Sequence, residues 1–428
     1  MSIKYFFLMG IVIFLGCKKD AKDTVKPTIE LSSPQNSSFY SVPSSIQVKG
    51  EVSDNENIES VTIILKDNNG IQSTDIIHVS PQSKNYTINE VIFLEDIYLK
   101  SGTYELSISA NDGNNTTIKF IDININEYPK KRKGVFLFSN DGNNTTITKL
   151  DSVFNNSFFQ TLSGDFLNGT VNNLNQEVVS CGNISGDLVG MNILNGAINW
   201  SIANNYASQA HFTSCSQQDN EVYIGFYNRN IQSYMGNGTP NFSALTLLNF
   251  YSELNFVHQN NLLVSEQHHI TTSEIRLVAY YMASGLEKQN MIINENIVQI
   301  FSYSTNELIL FTNVGGNGKI KVYDIQQNSV WEPFSLSTGL ISDGIEIDTG
   351  IYIIAQDGDL VLVNRNNFTK TTYLSGINAE KVKYDDINNQ LFVTIGNTLK
   401  IYDYSSKTLI HTYNHSALIK DFDLWYNK

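Results

Sequence analysis

His268 and His269, with Glu266 and His258 nearby, form the densest histidine cluster in this chain. A metal would need three or four such donors converging in a tetrahedral or octahedral array. Adjacent residues on a strand point to opposite faces, so His268 and His269 do not share an ion there, although a loop would let them. The simpler reading makes them polar residues in the turn between strands at 262–264 and 275–278, and no metal is assigned. A second set is Asp343, Glu346 and Asp348. Glu346 and Asp348 alternate onto one strand face, and paired carboxylates at a suitable separation act as acid and base. Nothing about their position singles them out among 42 acidic residues. Acids at a strand end are the plainer account, and no catalytic residue is assigned.

Asp54, Glu56, Asp112 and Asn114 offer oxygen ligands of the kind calcium takes, but no full acidic loop is present. Their alternative role is to hydrogen-bond their own turns, which is the favoured reading. Cys181 and Cys215 could join as a disulfide in an oxidising compartment, or pack as buried thiols beside Val179 and Phe212. Tyr206, Tyr234, Tyr251, Trp331 and Phe334 are read as loop aromatics that could stack on a sugar or anchor a protein partner. Packing between repeats is the competing use of Trp331 and Phe334. No nucleophile elbow, phosphate loop, zinc signature or nucleotide fingerprint occurs.

The elements that must position these residues are strands. Between 350 and 413 one unit occurs twice, as short apolar runs joined by Asp357-Gly358, Asn366-Asn367, Gly396-Asn397 and Ser405-Ser406. The same unit can be counted from Val135, Val178, Val222, Leu262, Leu308, Ile351 and Leu391, at spacings of 40 to 46 residues. A period of roughly 40–45 residues with four strands per unit predicts a β-propeller of seven blades. The first unit lacks an inner strand, and the chain ends on a spare one at 419–425. That spare strand should pair beside 135–138 and close the ring, leaving no open edge. Residues 27–127 carry about seven further short strands, the pattern of a separate β-sandwich. The expected fold is therefore all-β: a sandwich (27–127), a polar linker (128–133) containing the basic run 130–133, and a propeller (134–428).

With 428 residues the chain can build more than one core. Its net charge of −14 argues against nucleic acid as a partner, because phosphate binding needs a basic face. At the N-terminus Lys4 precedes an apolar run ending in Leu15-Gly16-Cys17. This describes a secretory signal over residues 1–16, too short for a membrane span, followed by a polar tether at 17–26.

Leu15-Gly16-Cys17 resembles the lipobox of bacterial lipoproteins, which implies that Cys17 carries the lipid and holds the protein to a membrane. The Lys-and-acid stretch after it is similar to the surface-export signal of Bacteroidota lipoproteins, with the leaflet left open. The run Gly50-Glu51-Val52-Ser53-Asp54, with Ile58, Val61, Tyr104 and Ala110-Asn111-Asp112-Gly113-Asn114, resembles bacterial immunoglobulin-like and cadherin-like domains. Leu188-Val189-Gly190-Met191-Asn192 with Gly196 and Trp200 is similar to a repeat of the YVTN/PQQ-like kind. From that likeness we take blade geometry, and no cofactor is expected. Lipoproteins of this build work beside outer-membrane transporters, so the resemblance implies an envelope binding or scaffold protein for a glycan, small nutrient or protein partner. A polysaccharide hydrolase or lyase, and a periplasmic assembly factor, are the alternatives. The oligomeric state is left open.

Overall fold

The computed structural model describes residues 23–205, 209–334, 336 and 338–428. Cys17 and Tyr206 lie outside them. The chain divides into two compact units, Met1–Pro129 and Lys130–Lys428. Among the described residues every regular element is a strand.

In the first unit, Thr28–Ser33, Ser44–Ile58 and Ser83–Leu94 form one sheet. Ser38–Ser41, Thr116–Asn126, Gly102–Asn111, Ser60–Lys66 and Ile77–Val79 form the other. The alternation that predicts the sandwich is the alternation of its core. Ile46, Val48 and Val52, then Val61, Ile63 and Leu65, then Leu106, Ile108 and Ala110 are all buried in one cluster. Tyr104 is buried and donates its hydroxyl to the Lys100 carbonyl at 2.9 Å, the corner bond familiar from immunoglobulin-like sandwiches. Ser38–Ser41 is a strand the sequence does not announce. It has four residues and no buried side chain, and only its parallel pairing with Thr116–Asn126 defines it.

Among the described residues the second unit is seven four-stranded antiparallel sheets. We number them as blades by their inner strands: Ile419–Tyr426 in blade 1, then Asn168–Asn172, Phe212–Gln218, Phe250–His258, Asn296–Ser302, Ile341–Asp348 and Lys381–Asp385 in blades 2 to 7. The unit is thus a seven-bladed propeller with the strand count and phase that the repeat implies. The second strand of each blade is covered on both faces, which is why it reads as an unbroken apolar run. Val178, Val179 and Cys181 are fully buried, as are Leu308 to Phe311 and Leu391 to Val393. Turn chemistry sets the hairpins. At Asp357-Gly358 both φ angles are positive, 48° and 83°, as a two-residue turn matched to strand twist requires.

Closure is made by the last strand. Ile419–Tyr426 pairs antiparallel with Arg132–Asn140, setting Leu424 opposite Val135 and Phe422 opposite Leu137. Ile419, Phe422, Leu424 and Tyr426 are buried against Val135 and Leu137 of blade 1 and Phe392, Leu399 and Ile401 of blade 7. Each such side chain stabilises by roughly 1.5–3 kcal/mol when fully buried.

In the basic run 130–133, Lys131 and Lys133 are exposed, as a solvated linker would have them, but Arg132 is not. Arg132 opens a strand, and its side chain is 6% exposed. Its Nε donates to Asp385 Oδ2 at 2.8 Å and its Nη2 to Gln390 Oε1 at 3.2 Å. The Phe154 and Phe392 rings lie 4.8 and 5.1 Å from the guanidinium carbon. Asp385 is wholly buried, and its Oδ1 takes the Tyr426 hydroxyl at 3.1 Å. Charge repulsion within the run does not keep Arg132 in water, because one buried carboxylate pairs with it.

Candidate functional site: the polar central channel

The inner strands of all seven blades line a cavity of about 690 Å³ along the propeller axis. In five blades the inner strand carries an irregularity in its first half, at Phe212/Ser214, Ser252/Leu254, Ile297/Gln299, Ile341/Asp343 and Ile419/Asp421. Such bulges re-aim side chains and sharpen local twist. They recur where the channel wall is built.

One side of the wall is charged. Running from blade 6 through 7 to 1 it presents Asp343, then Lys381 and Lys383, then Asp421 and Asp423. Lys383 Nζ lies 3.5 Å from Asp423 Oδ1. Asp423 Oδ2 accepts from Thr170 Oγ1 at 2.9 Å and from the Val171 amide at 2.8 Å, so it ties blade 1 to blade 2. Asp343 does the same between its neighbours, accepting from Gln299 Nε2 at 3.0 Å and the Val382 amide at 2.9 Å. The Asp343 carboxylate raises Lys381 against the opposing effect of burial, and Asp423 raises Lys383 in the same way. Both lysines are therefore held charged. Burial raises the Asp421 carboxyl, partly offset by the two lysines.

The other side is mostly neutral and polar, with Asn168, Thr170, Ser214, Ser216, Gln218, Asn255 and Gln299. Behind it Ser214, Ser252, Asn255 and Ser265 form a buried network, with Asn255 Nδ2 to Ser214 Oγ at 2.8 Å and Ser252 Oγ to Asn255 Oδ1 at 2.9 Å. These bonds fix blades 3 and 4 rigidly beside each other. Glu253, the bulged residue of blade 4, adds a carboxyl whose pKa burial raises. Phe256 and Phe301 also border the space, with their side chains packed on the cores between blades 4 and 5 and between blades 5 and 6. A ligand-sized space is thus bounded by charged groups on one side and, on the other, by polar side chains held in place by bonds to neighbouring strands, Ser216 to the Asn255 carbonyl and Gln218 to both backbone groups of Val257 among them.

The residues singled out in the sequence do not assemble into one site. Asp343 lies in the channel, but Glu346 accepts from the Gly350 amide and Asp348 from the Thr349 amide, both at the following turn. His268 and His269 are in a strand, Leu262–His269, and not in a turn. The strand outruns its apolar pattern because the polar residues that extend it are buried and bonded: Gln267 to the Tyr280 hydroxyl, Glu266 to the Ile297 amide. His268 pairs with Glu266 Oε1 at 2.9 Å, while His269 accepts from the Thr271 and Thr272 amides. His258, at the other end of this hairpin, binds Ser302 and the Thr305 carbonyl. The histidines therefore have separate structural partners.

None of the four described aromatics lines the channel. Tyr234 is buried and stacks on Trp200 at 6.2 Å. Tyr251 packs against Tyr227 and His268, and Phe334 is in the core of blades 5 and 6. Trp331 is 43% exposed and covers Arg365. In the first unit, Asp54 and Asp112 accept from the Asn55, Asn114 and Asn115 amides of their own turns. Their carboxylate oxygens lie within 4.8 Å of each other and of Asp23, and Glu56 is not part of this group. Sequence reasoning missed Lys381, Lys383, Asp421 and Asp423. Their signal is a period-two alternation of charge, Lys-Val-Lys and Asp-Phe-Asp, in strands just ahead of a repeat.

The fold defines a sandwich joined in sequence to a seven-bladed propeller, and residues 27–117 match the bacterial Ig domain family. Among solved structures, a quinoprotein alcohol dehydrogenase-like protein from Bacteroides thetaiotaomicron is similar with a TM-score of 0.47 at 10% identity, covering 94% of this chain and 99% of that one. The WD40 propeller domain of Doa1 gives 0.44 at 14% identity, covering 62% and 90%. Saccharomyces cerevisiae Sqt1 gives 0.47 at 11% identity, covering 68% and 88%. No curated protein matches the chain.

Away from the channel, in the outermost strand of blade 2, Trp200 clamps blade 2 to blade 3. A side chain at Gly190 would meet its indole at 2.2 Å, which explains the glycine in that strand. Trp200 Nε1 donates to Glu177 Oε1 at 2.7 Å and to the Gly236 carbonyl at 3.1 Å. Glu177 is 1% exposed, and burial raises its pKa from 4.5 to about 7 despite the Trp200 and Asn199 bonds. The folded state thus keeps a proton that the unfolded chain releases above pH 4.5. Stability from this group is complete below pH 4.5 and falls as pH rises, levelling off near 7, with a loss of about 3 kcal/mol at 1.36 kcal/mol per pKa unit. Glu177→Gln keeps an acceptor for Trp200 and cannot ionise. Urea melts at pH 5 and pH 8 should show a smaller loss of stability in the variant than in the parent. Equal losses in both would show that Glu177 is not the buried acid responsible.

Proposed function

We propose that the propeller is a ligand-binding module whose site is the central channel, and that its ligand is a small, neutral, hydroxyl-rich molecule of mono- or disaccharide size. One observation carries this reading: Lys381 and Lys383, the lysines of the charged wall, already face carboxylates, at Asp343, Asp421 and Asp423. An anionic ligand would be repelled by the acids, and a cation by the lysines. A hydroxyl both donates and accepts, so it can bridge charged groups of either sign, and such charge-assisted bonds are the stronger kind. The neutral polar wall opposite keeps the site uncharged on that side, and its hydroxyl and carbonyl oxygens can each accept a further bond. The cavity is within the usual range for small-ligand sites, roughly 300–1,000 Å³. In this reading Cys17 is the lipid attachment point and the chain is a binding protein held at a bacterial envelope membrane, with a glycan as its natural ligand.

Titration calorimetry of the full chain against neutral mono- and disaccharides, with a uronic acid as the anionic control, tests the site. At least one neutral sugar should bind, and Lys381→Met should weaken it about tenfold or more, the loss of one charge-assisted bond. Preference for the uronic acid, or a Kd unmoved by Lys381→Met, would overturn the proposal. The anchor is tested separately. Cys17→Ser should move the protein from the membrane fraction to the soluble one on expression in a bacterial host, and continued membrane association would contradict lipidation.

A further inference from the structure

Cys181 ends the second strand of blade 2, and Cys215 lies in the inner strand of blade 3. Both are free thiols, and both belong to one apolar cluster with Val179, Phe212 and Ile224. The backbone around them is already tied across the blades. Asn168, opposite Cys181 in the ladder, donates its side-chain amide to the Cys215 carbonyl at 2.7 Å. The Cys181 thiol donates to the Gly182 carbonyl at 3.3 Å, and burial first, with Cys215 as a neighbour in the same cluster, raises it well above the ordinary range. Access is unequal. Cys215 lines the channel and keeps 6% of its surface exposed, whereas Cys181 stands behind it with none.

We propose that Cys181 and Cys215 form a reversible dithiol clasp, closing to a disulfide between blades 2 and 3 by exchange with a disulfide compound that enters the channel. Exchange needs a thiolate, an accessible sulfur and a second thiol in reach, and the pair divides these roles. The Cys215 thiolate attacks one sulfur of the incoming disulfide. The other sulfur leaves as a thiolate and takes up the proton that Cys215 released. Cys181 then loses its proton and attacks the Cys215 sulfur. The second thiolate leaves and takes that proton. Two protein thiols are oxidised and one external disulfide is reduced to two thiols. Cys181 resolves only after Cys215 has reacted, because it is shut off from the channel. The product would fasten two blades already joined by Asn168, at the wall of the cavity and without opening the apolar cluster.

The test uses the full chain carrying Cys17→Ser, which leaves these as its two thiols. The folded protein is incubated with oxidised glutathione, then unfolded, alkylated and weighed by mass spectrometry. The expected product has lost the mass of two hydrogens and takes up no alkylating agent, and reductant restores both thiols. With Cys181→Ala added, reaction should stop at a glutathione adduct on Cys215. With Cys215→Ala added, Cys181 should remain unmodified while the protein stays folded. Two alkylatable thiols after incubation would overturn the clasp. So would a persistent glutathione adduct when both cysteines are present, or modification of Cys181 in the Cys215→Ala variant as fast as that of Cys215 in the other.

Discussion

The structure depends on one backbone ladder, that between Ile419–Tyr426 and Arg132–Asn140. Every other blade is built from consecutive strands, whereas blade 1 takes its inner strand from the far end of the propeller sequence. Without that strand, blade 1 would offer an unpaired edge and blade 7 an uncovered apolar face. Both are liabilities that closure removes. The ladder is reinforced by the buried Arg132–Asp385 pair. Buried ion pairs stabilise only when their remaining donors and acceptors are met, and breaking one costs about 3–5 kcal/mol. Here Gln390, Asn388, Tyr426 and two aromatic rings share the two charges, and Arg132 Nη1 alone of these groups is buried without a hydrogen-bond acceptor. The first strand, the last strand and blade 7 are thereby fixed to one another.

Closure also makes the channel. Asp421 and Asp423 ride on the closing strand, and the lysines that face them belong to blade 7. The charged side of the wall is complete only when the ends of the propeller have met. Asp423 then reaches forward to Thr170 and Val171, so the residue that faces Lys383 also fastens blade 1 to blade 2. Ring integrity and channel chemistry are carried by the same carboxylates. The proposed binding role rests on this geometry, in which opposite charges face one another at the edge of a ligand-sized space.

Much of this fold is written plainly in the residues. The second strand of each blade must be apolar on both faces, so its runs stand out and their spacing counts the blades. The Val48, Ile63 and Leu106 strands of the sandwich alternate because one face of each sheet is wet. The channel is less legible, since Asp343, Lys381 and Asp421 meet only through the ring and no local pattern joins them. Polar burial also misleads. Ser265, Glu266 and Gln267 look like the end of a strand, yet long-range hydrogen bonds carry the strand on to His269. Arg132 looks like linker because its partner, Asp385, is 253 residues away. Tyr234 and Phe334 have the composition of ligand platforms but pack inside and between blades, a choice set by neighbouring strands that their own sequence context does not reveal.

Hydrogen exchange of the intact chain, read by mass spectrometry at the level of peptides, tests closure most directly. If the last strand is part of the ring, amides in 419–426 and 132–140 are released together, and only as slowly as the propeller core opens. A segment 419–426 that exchanges quickly, like a frayed terminus, while 132–140 stays protected would contradict the account.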